Sequence, residues 1–253
     1  MADKFTRVAI VTGATSGIGE ATARKFVATG FGVVGNGRKA DKLKALEKEM
    51  GGAFCGVTGD VTDSAVQDRL FTTAREYFGK PVDIVIANAG RGLVGSVKDV
   101  DLAQFEEVIK TNVTGTLALL QKAAQQMMDG QQRTFPRSAA DIVIVGSVVG
   151  RNISPIGAVY GATKFAIHAL AEGLRREMGP KGIRVSLVEP GFVLSGFQAV
   201  AGYNAAMVRH FTEKIGPLLV GDDIANAIHY IVTQPPHVHI SDILVRPTRQ
   251  EYP

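Results

Sequence analysis

Cysteine is almost absent: Cys55 stands alone in 253 residues. That excludes an internal disulfide, suits a reducing compartment, and reads as a small apolar residue on a strand. Long apolar runs are missing too, since no stretch approaches the roughly 18 uncharged apolar residues that cross a membrane, so no membrane partner is expected. Charge of one sign is nowhere concentrated. The 28 Lys and Arg against 24 Asp and Glu leave a net +4, spread without clustering, and no nucleic-acid partner is expected. The start, Met1-Ala2-Asp3-Lys4-Phe5, carries an early acid and runs directly into a short apolar stretch, unlike a signal or transit peptide. A soluble, cytoplasmic protein is the expectation.

What the chain does have is 45% hydrophobic against 21% charged residues, enough to bury a substantial core. Short apolar runs bounded by turn residues alternate with longer helical patterns along the whole length. The patterns predict strands over 8–11, 31–35, 53–57, 83–87, 142–145, 184–188 and 243–245, and helices over 17–28, 41–50, 64–78, 102–128, 158–178 and 222–233. This alternation predicts an α/β chain with a single doubly wound, Rossmann-type domain over 1–253: a parallel seven-stranded sheet with helices on both faces. Two stretches break the rhythm. Residues 130–140 read as a polar surface connection, and residues 190–217, weakly periodic after a strand end, read as a lid.

The first strand runs straight into Thr12-Gly13-Ala14-Thr15-Ser16-Gly17-Ile18-Gly19 and then a helix. At such a strand-to-helix turn Gly13 permits the tight turn, Gly17 the approach of backbone to a pyrophosphate, and Gly19 the packing of helix on strand. A free ribose 2′-hydroxyl would call for Asp or Glu at the end of the second strand. The residues there are Gly35-Asn36-Gly37-Arg38-Lys39, with no acid. Arg38 offers a planar cationic fork for a 2′-phosphate, so the expected cofactor is NADP(H); the alternative is that Arg38 and Lys39 are solvated residues ahead of a helix.

Tyr160 and Lys164 stand four residues apart at the start of a predicted helix, so both side chains leave one face. A phenol with an ordinary pKa near 10 is a poor proton donor or acceptor at neutral pH, and a neighbouring ammonium together with a nicotinamide cation would lower it. Ser147 lies just past the strand 142–145, where its hydroxyl could bond a substrate oxygen beside Tyr160.

With these motifs in place the chain resembles the short-chain dehydrogenase/reductase superfamily of the roughly 250-residue type. The glycine loop, Asn88-Ala89-Gly90, Asn112, Ser147, Tyr160 with Lys164, and Pro190-Gly191 occur in the family's order. The resemblance implies that Tyr160 donates the proton to a carbonyl, that Lys164 lowers its pKa and holds the nicotinamide ribose, that Ser147 orients the substrate oxygen, and that Asn112 holds a water in a relay behind Lys164. It implies that Asp60 and Val61 flank the adenine, that Asn88 to Gly90 lies along the adenosine ribose, and that Pro190, Gly191 and Val193 contact the nicotinamide. It also implies a homotetramer packed through helices beginning near Leu102 and Ala158. Two departures stand out: Gly146 precedes Ser147 where relatives carry a Ser pair, and Ser195 is the nearest hydroxyl after Pro190-Gly191 where many carry Thr. The ending, 232–248, resembles the branch of NADP-dependent 3-hydroxy acid dehydrogenases and ribitol dehydrogenase-like proteins.

The function expected is an NADP(H)-dependent oxidoreductase, acting on CH–OH donors, that passes hydride between nicotinamide and a carbonyl or secondary alcohol of a small molecule, a 3-hydroxy acid or a polyol. The alternatives are a 3-oxoacyl thioester reductase and a non-catalytic NADP(H)-binding sensor or scaffold; the intact Ser147, Tyr160, Lys164 set speaks against the latter. A sugar-nucleotide epimerase would need more chain after the sheet. Arg91 and Arg151 are candidate partners for a substrate anion, or else solvated loop residues. Phe192, Phe197, Tyr203, Met207 and Phe211 either wall the pocket or pack the lid to the body. His237 and His239 alternate without a third ligand at suitable spacing, so no metal is expected. His168, one turn beyond Lys164, reads as a packed or interface residue.

Overall fold

The computed structural model describes residues 5–153 and 157–251. Met1 to Lys4, on which the reading of the chain start rests, lie outside the described residues. The strands β1 (Val8–Val11), β2 (Gly32–Gly37), β3 (Phe54–Thr58), β4 (Ile84–Ala87), β5 (Ala140–Val145), β6 (Ile183–Pro190) and β7 (Asp242–Val245) form one sheet. Its order is β3-β2-β1-β4-β5-β6-β7, and every pairing is parallel. Strands such as Val8–Val11 and Ile84–Ala87 are buried at every position, which is why they read as unbroken apolar runs rather than alternating ones.

Helices α1 (Gly17–Ala28), α2 (Ala40–Met50), α3 (Ser64–Phe78), α4 (Leu102–Ile109), α5 (Thr116–Thr134), α6 (Ala158–Met178), α7 (Phe197–Ala201), α8 (Ala205–Ile215) and α9 (Gly221–Val232) complete the fold. Two apolar cores form, one on each face of the sheet. One gathers Leu70, Leu119, Ala123, Ile142 and Ile167; the other gathers Phe26, Leu43, Ile86, Ile224 and Ile228. The doubly wound arrangement thus matches the expected fold class. Where local chemistry punctuates a helix, the ends fall as the sequence implies. Asp63 caps α3 by accepting from Ala65 N, and Gly79 ends it in the left-handed region at φ 73°.

Two expectations need correction. The helix expected over 102–128 is interrupted by a π-turn, Lys110–Gly115, and then runs on to Thr134. Residues 130–134 of the expected surface connection are therefore helical. Gly130 and Thr134 are exposed, and the buried Gln131 secures the end by donating to Ser138 O at 2.6 Å. The lid region holds the short helices α7 and α8, the second started by Asn204 accepting from Met207 N at 2.9 Å. Its two ends are tied together, with Val193 bridged to Leu219 and Leu194 N donating to Leu219 O at 2.7 Å.

Candidate active site

All strands being parallel, their carboxyl ends lie along one edge. The turn after β1 and the turn after β4 are neighbours there, at the point where strand order reverses, the usual ligand crevice of such sheets. Thr12 joins the two turns: its Oγ1 accepts from Asn88 N and Ala89 N, each at 3.0 Å, while Asn88 Nδ2 donates to Thr12 O at 2.8 Å. Gly13 and Gly17 take positive φ, 68° and 54°. A Cβ on Gly19 would come within 2.2 Å of Gly13 O, and one on Gly13 within 2.8 Å of Asn88 Nδ2, so only glycine fits this cradle. The lid comes down on it, with Ser195 Cβ 3.1 Å from where a Cβ of Gly17 would sit. Thr15, Ser16 and Ile18 occupy the same turn, Ser16 exposed and extended with a side chain free of any capping bond. That leaves helix N-terminal N–H groups available to an anion.

At the next strand end, Arg38 is exposed and stands close enough to Asp60 to help hold that carboxyl below its usual range. The larger cause is the bond from Thr62 N, and Lys110 of the π-turn contributes beside Arg38. Val61 is buried next to Asp60. Pro190 ends β6 opposite Val245, and Gly191 N donates to Val245 O at 2.7 Å. Val193, at the start of the lid segment, is buried.

The first two turns of α6 present Tyr160 and Lys164. Lys164 is buried, its Nζ donating to Val145 O at 2.8 Å and lying 5.7 Å from the centroid of the Tyr160 ring. Ser147 lies close enough to the Tyr160 hydroxyl to favour its ionised form. Burial pushes the Tyr160 phenol up, the Tyr203 phenol adds to this, and Ser147 opposes it. Burial also brings the Lys164 ammonium down to about 8. Lys164 is not among the groups that shift the phenol, and burial sets the direction.

Asn112 falls in the π-turn, a distortion often found at functional sites. Its Oδ1 accepts from Arg91 N at 2.8 Å, and its Nδ2 donates to Arg91 O at 2.8 Å and Thr163 Oγ1 at 3.1 Å. Both amide N–H groups are thus committed to bracing the turn after β4 against α6, which leaves one Oδ1 lone pair for the expected water. Neither the π-turn nor Thr163 was signalled in the sequence.

The two candidate anion partners separate. Arg151 bonds both carboxylate oxygens of Glu189 and reaches Asp242 at 2.9 Å, so its guanidinium is already engaged and the substrate role is corrected to a structural one. Arg91 makes no ion pair among the described residues, and its Nε is buried without a hydrogen-bond partner. The aromatic set separates as well. Phe192 packs on Phe211 at 4.7 Å and on Tyr203 at 5.9 Å, holding the lid together, whereas Phe197 faces the Tyr160 ring at 5.6 Å. Met207 is half-buried on α8. His239 Nε2 is hydrogen-bonded to Val185 O at 2.9 Å, and His237 is exposed. Cys55 is half-buried on β3, its thiol pushed up by burial.

Comparison with known proteins places this geometry among relatives. The short chain dehydrogenase family matches residues 7–204. A serine 3-dehydrogenase of Rhizobium radiobacter is 34% identical over 96% of this chain and 94% of its own, and an uncharacterised oxidoreductase of Staphylococcus epidermidis is 32% identical over 98% and 100%. Among solved structures, a closed serine dehydrogenase complexed with NADP+ superposes with a TM-score of 0.88 at 27% identity, covering 97% and 96% of the two chains. A 3-ketoacyl-(acyl-carrier-protein) reductase from Brucella melitensis complexed with NADH gives 0.87 at 25%, covering 97% and 98%.

Proposed function

Since the chain belongs to the short-chain dehydrogenase family, we propose that it is an NADP(H)-dependent oxidoreductase acting on the hydroxyl or carbonyl carbon of a small 3-hydroxy acid. The observation that carries the reading is the convergence of Ser147, Tyr160 and Lys164, in a chain whose first strand also ends in a glycine cradle that any side chain would fill. When bound, NADP(H) supplies or accepts the hydride and, oxidised, brings a positive charge that favours the phenolate.

The chain's own residues do the rest. Gly13, Gly17 and Gly19, with Thr15, Ser16 and Ile18, open the backbone to a pyrophosphate at the start of α1. Arg38 takes the 2′-phosphate; Asp60 and Val61 border the adenine; Asn88, Ala89 and Gly90 line the adenosine ribose; and Pro190, Gly191 and Val193 flank the nicotinamide. Lys164, locked to Val145 O, holds the nicotinamide ribose. Ser147 bonds the substrate oxygen, and Tyr160 gives or takes its proton. Asn112 fixes the Arg91 backbone next to this centre. The unpaired Arg91 guanidinium then suits the substrate carboxylate.

Exposed Leu102, Leu117 and Phe165, at 69, 46 and 42%, lie on α4, α5 and α6, which supports assembly into a homotetramer through those helices. No helix among the described residues is long and apolar enough to cross a membrane.

The reading is tested by following NADPH and NADH oxidation with purified protein and 3-oxo acids, ketoses, apolar ketones and a 3-oxoacyl thioester, and the reverse reaction with serine and 3-hydroxy acids. Turnover of small anionic substrates with NADP(H) is expected. Preference for the thioester would favour a 3-oxoacyl thioester reductase instead, the reading that likeness to the Brucella structure supports.

A further inference from the structure

Four residues with no part in the proton and hydride steps, His168, Glu189, Arg151 and Asp242, line up behind Ser147. The Ser147 N–H donates to His168 Nε2 at 3.3 Å. His168 Nδ1 lies 3.7 Å from Glu189 Oε2, a carboxylate with no exposed side-chain surface. Arg151 bonds both oxygens of that carboxylate and extends to Asp242. For Nε2 to accept, the ring proton must sit on Nδ1, on the side of the Glu189 carboxylate 3.7 Å away, whose charge favours that tautomer. The ring cannot slide. It is wedged between Gly146 and Gly150, whose Cβ atoms, were they present, would lie 2.5 and 2.4 Å from Nε2.

We propose that His168 is a positioning residue: fixed by Glu189 and Arg151, it holds the Ser147 amide and so aims the Ser147 hydroxyl at Tyr160. This rests on the roles given above to Ser147 and Tyr160. Ser147 is extended, at φ −173°, and caps the 3₁₀ turn Val148–Gly150, so whatever fixes its N–H fixes the direction in which its side chain leaves the backbone. Arg151 follows that turn directly, and the relay therefore grips both ends of it.

The ring is open to protons. A cleft of about 200 Å³, lined by Arg151, His168, Glu172, Arg175, Leu187 and Asp242, leads to it from the surface. The charged groups facing it are Glu189 of β6, Arg151 beyond the 3₁₀ turn, Asp242 of β7, and Lys164 of its own helix, with Glu172 and Arg175 farther along α6. Burial holds its pKa below the ordinary 6.5, so the imidazole is neutral at pH 7 and accepts. Protonation would put an N–H donor opposite the Ser147 N–H donor and release the turn.

The test combines nitrogen-15 NMR of the wild-type histidine rings with kinetics of two variants. At pH 8 the His168 signals, assigned by their loss in His168→Gln, are expected to report an Nδ1–H tautomer with Nε2 bare; an Nε2–H tautomer overturns the proposal without reference to any substrate. In kinetics, His168→Leu is expected to lower kcat by roughly tenfold or more with KM for NADPH changed less than about twofold, the cost of leaving a buried N–H without its acceptor. His168→Gln, which returns an acceptor oxygen, is expected to recover most of that loss and to flatten the acid limb of the wild-type kcat profile. Unchanged kcat per folded His168→Leu molecule, measured at equal NADPH-binding capacity, overturns it; should that variant fail to fold, the tautomer and the His168→Gln profile decide. A wild-type protein inactive on every substrate tried would count against the proposed function, and the tautomer would still be read.

Discussion

The imidazole of His168 occupies the space that a side chain on Gly146 would need: a Cβ there would meet Nε2 at 2.5 Å. This accounts for glycine immediately before Ser147. The two residues should therefore be coupled energetically. Gly146→Ala alone is expected to destabilise by about 1–3 kcal/mol through overpacking against the ring and Leu187. In a His168→Ala background the same change should cost far less. The check is a double-mutant cycle in denaturant, and additive losses would mean that ring and glycine do not compete for the same volume.

Tyr160→Phe keeps the ring that packs on Phe197 at 5.6 Å and removes only the hydroxyl beside Ser147. Turnover is expected to fall by about a thousandfold or more, within the range of losses seen when a proton-transfer group is removed, while the NADPH dissociation constant stays within about threefold. Equal loss of both in titration and steady-state kinetics would assign the residue to cofactor binding instead.

Lys164 is a buried cation whose pKa burial lowers to about 8, against an ordinary value near 10.5. Between those limits the unfolded chain holds more protons than the folded one, so the cost of burying the charge is present in full below pH 8 and fades toward pH 10.5. Lys164→Met should therefore be inactive and yet more stable at pH 7, by on the order of 2 kcal/mol after loss of the bond to Val145 O. That gain should vanish near pH 10.5 in chemical denaturation. A variant less stable at pH 7 would mean that the ammonium is better satisfied than its burial implies.

Much of this architecture was legible because its signals are local. The α1, α3 and α6 boundaries follow from nearby residues such as the Asp63 cap and Gly79, and the glycine loop declares itself by following a buried strand. What escaped depends on distant partners. The π-turn presents Asn112 to Arg91 and Thr163, 21 and 51 positions away. Arg151 looked free until the fold brought Glu189 and Asp242 to it across 38 and 91 positions. The His168 bond to Ser147 likewise spans 21 positions, and no periodicity encodes it. The phenol of Tyr160 shows the same limit in electrostatics: spacing placed an ammonium beside it, but only the depth of burial decides the direction of the shift.

Cofactor choice should turn on Arg38. It is exposed at the end of β2 and close to Asp60, with no acid between Gly35 and Lys39 to bond a ribose hydroxyl. Arg38→Ala is expected to weaken NADPH by roughly tenfold or more, the scale of a lost charged hydrogen bond, with NADH changed by less than about twofold. Fluorescence titration of both cofactors measures the ratio, and an unchanged ratio would assign discrimination to other residues.

Arg91 offers the sharpest test of substrate class. Its backbone is clamped by Asn112 on both sides at 2.8 Å, its Nε is buried without a hydrogen-bond partner, and a buried guanidinium donor left unpaired is costly unless an anion satisfies it. Arg91→Met keeps much of the stem and deletes the charge. If a substrate carboxylate sits there, KM for the anionic substrate should rise by roughly tenfold or more, while the far weaker turnover of its methyl ester should stay within about twofold. The variant should also be no less stable than wild type without ligand, since the buried donor goes with the charge. Parallel losses for acid and ester in steady-state kinetics would show that Arg91 shapes the pocket without binding charge, and the partner of the carboxylate would then have to be sought on another element of the site.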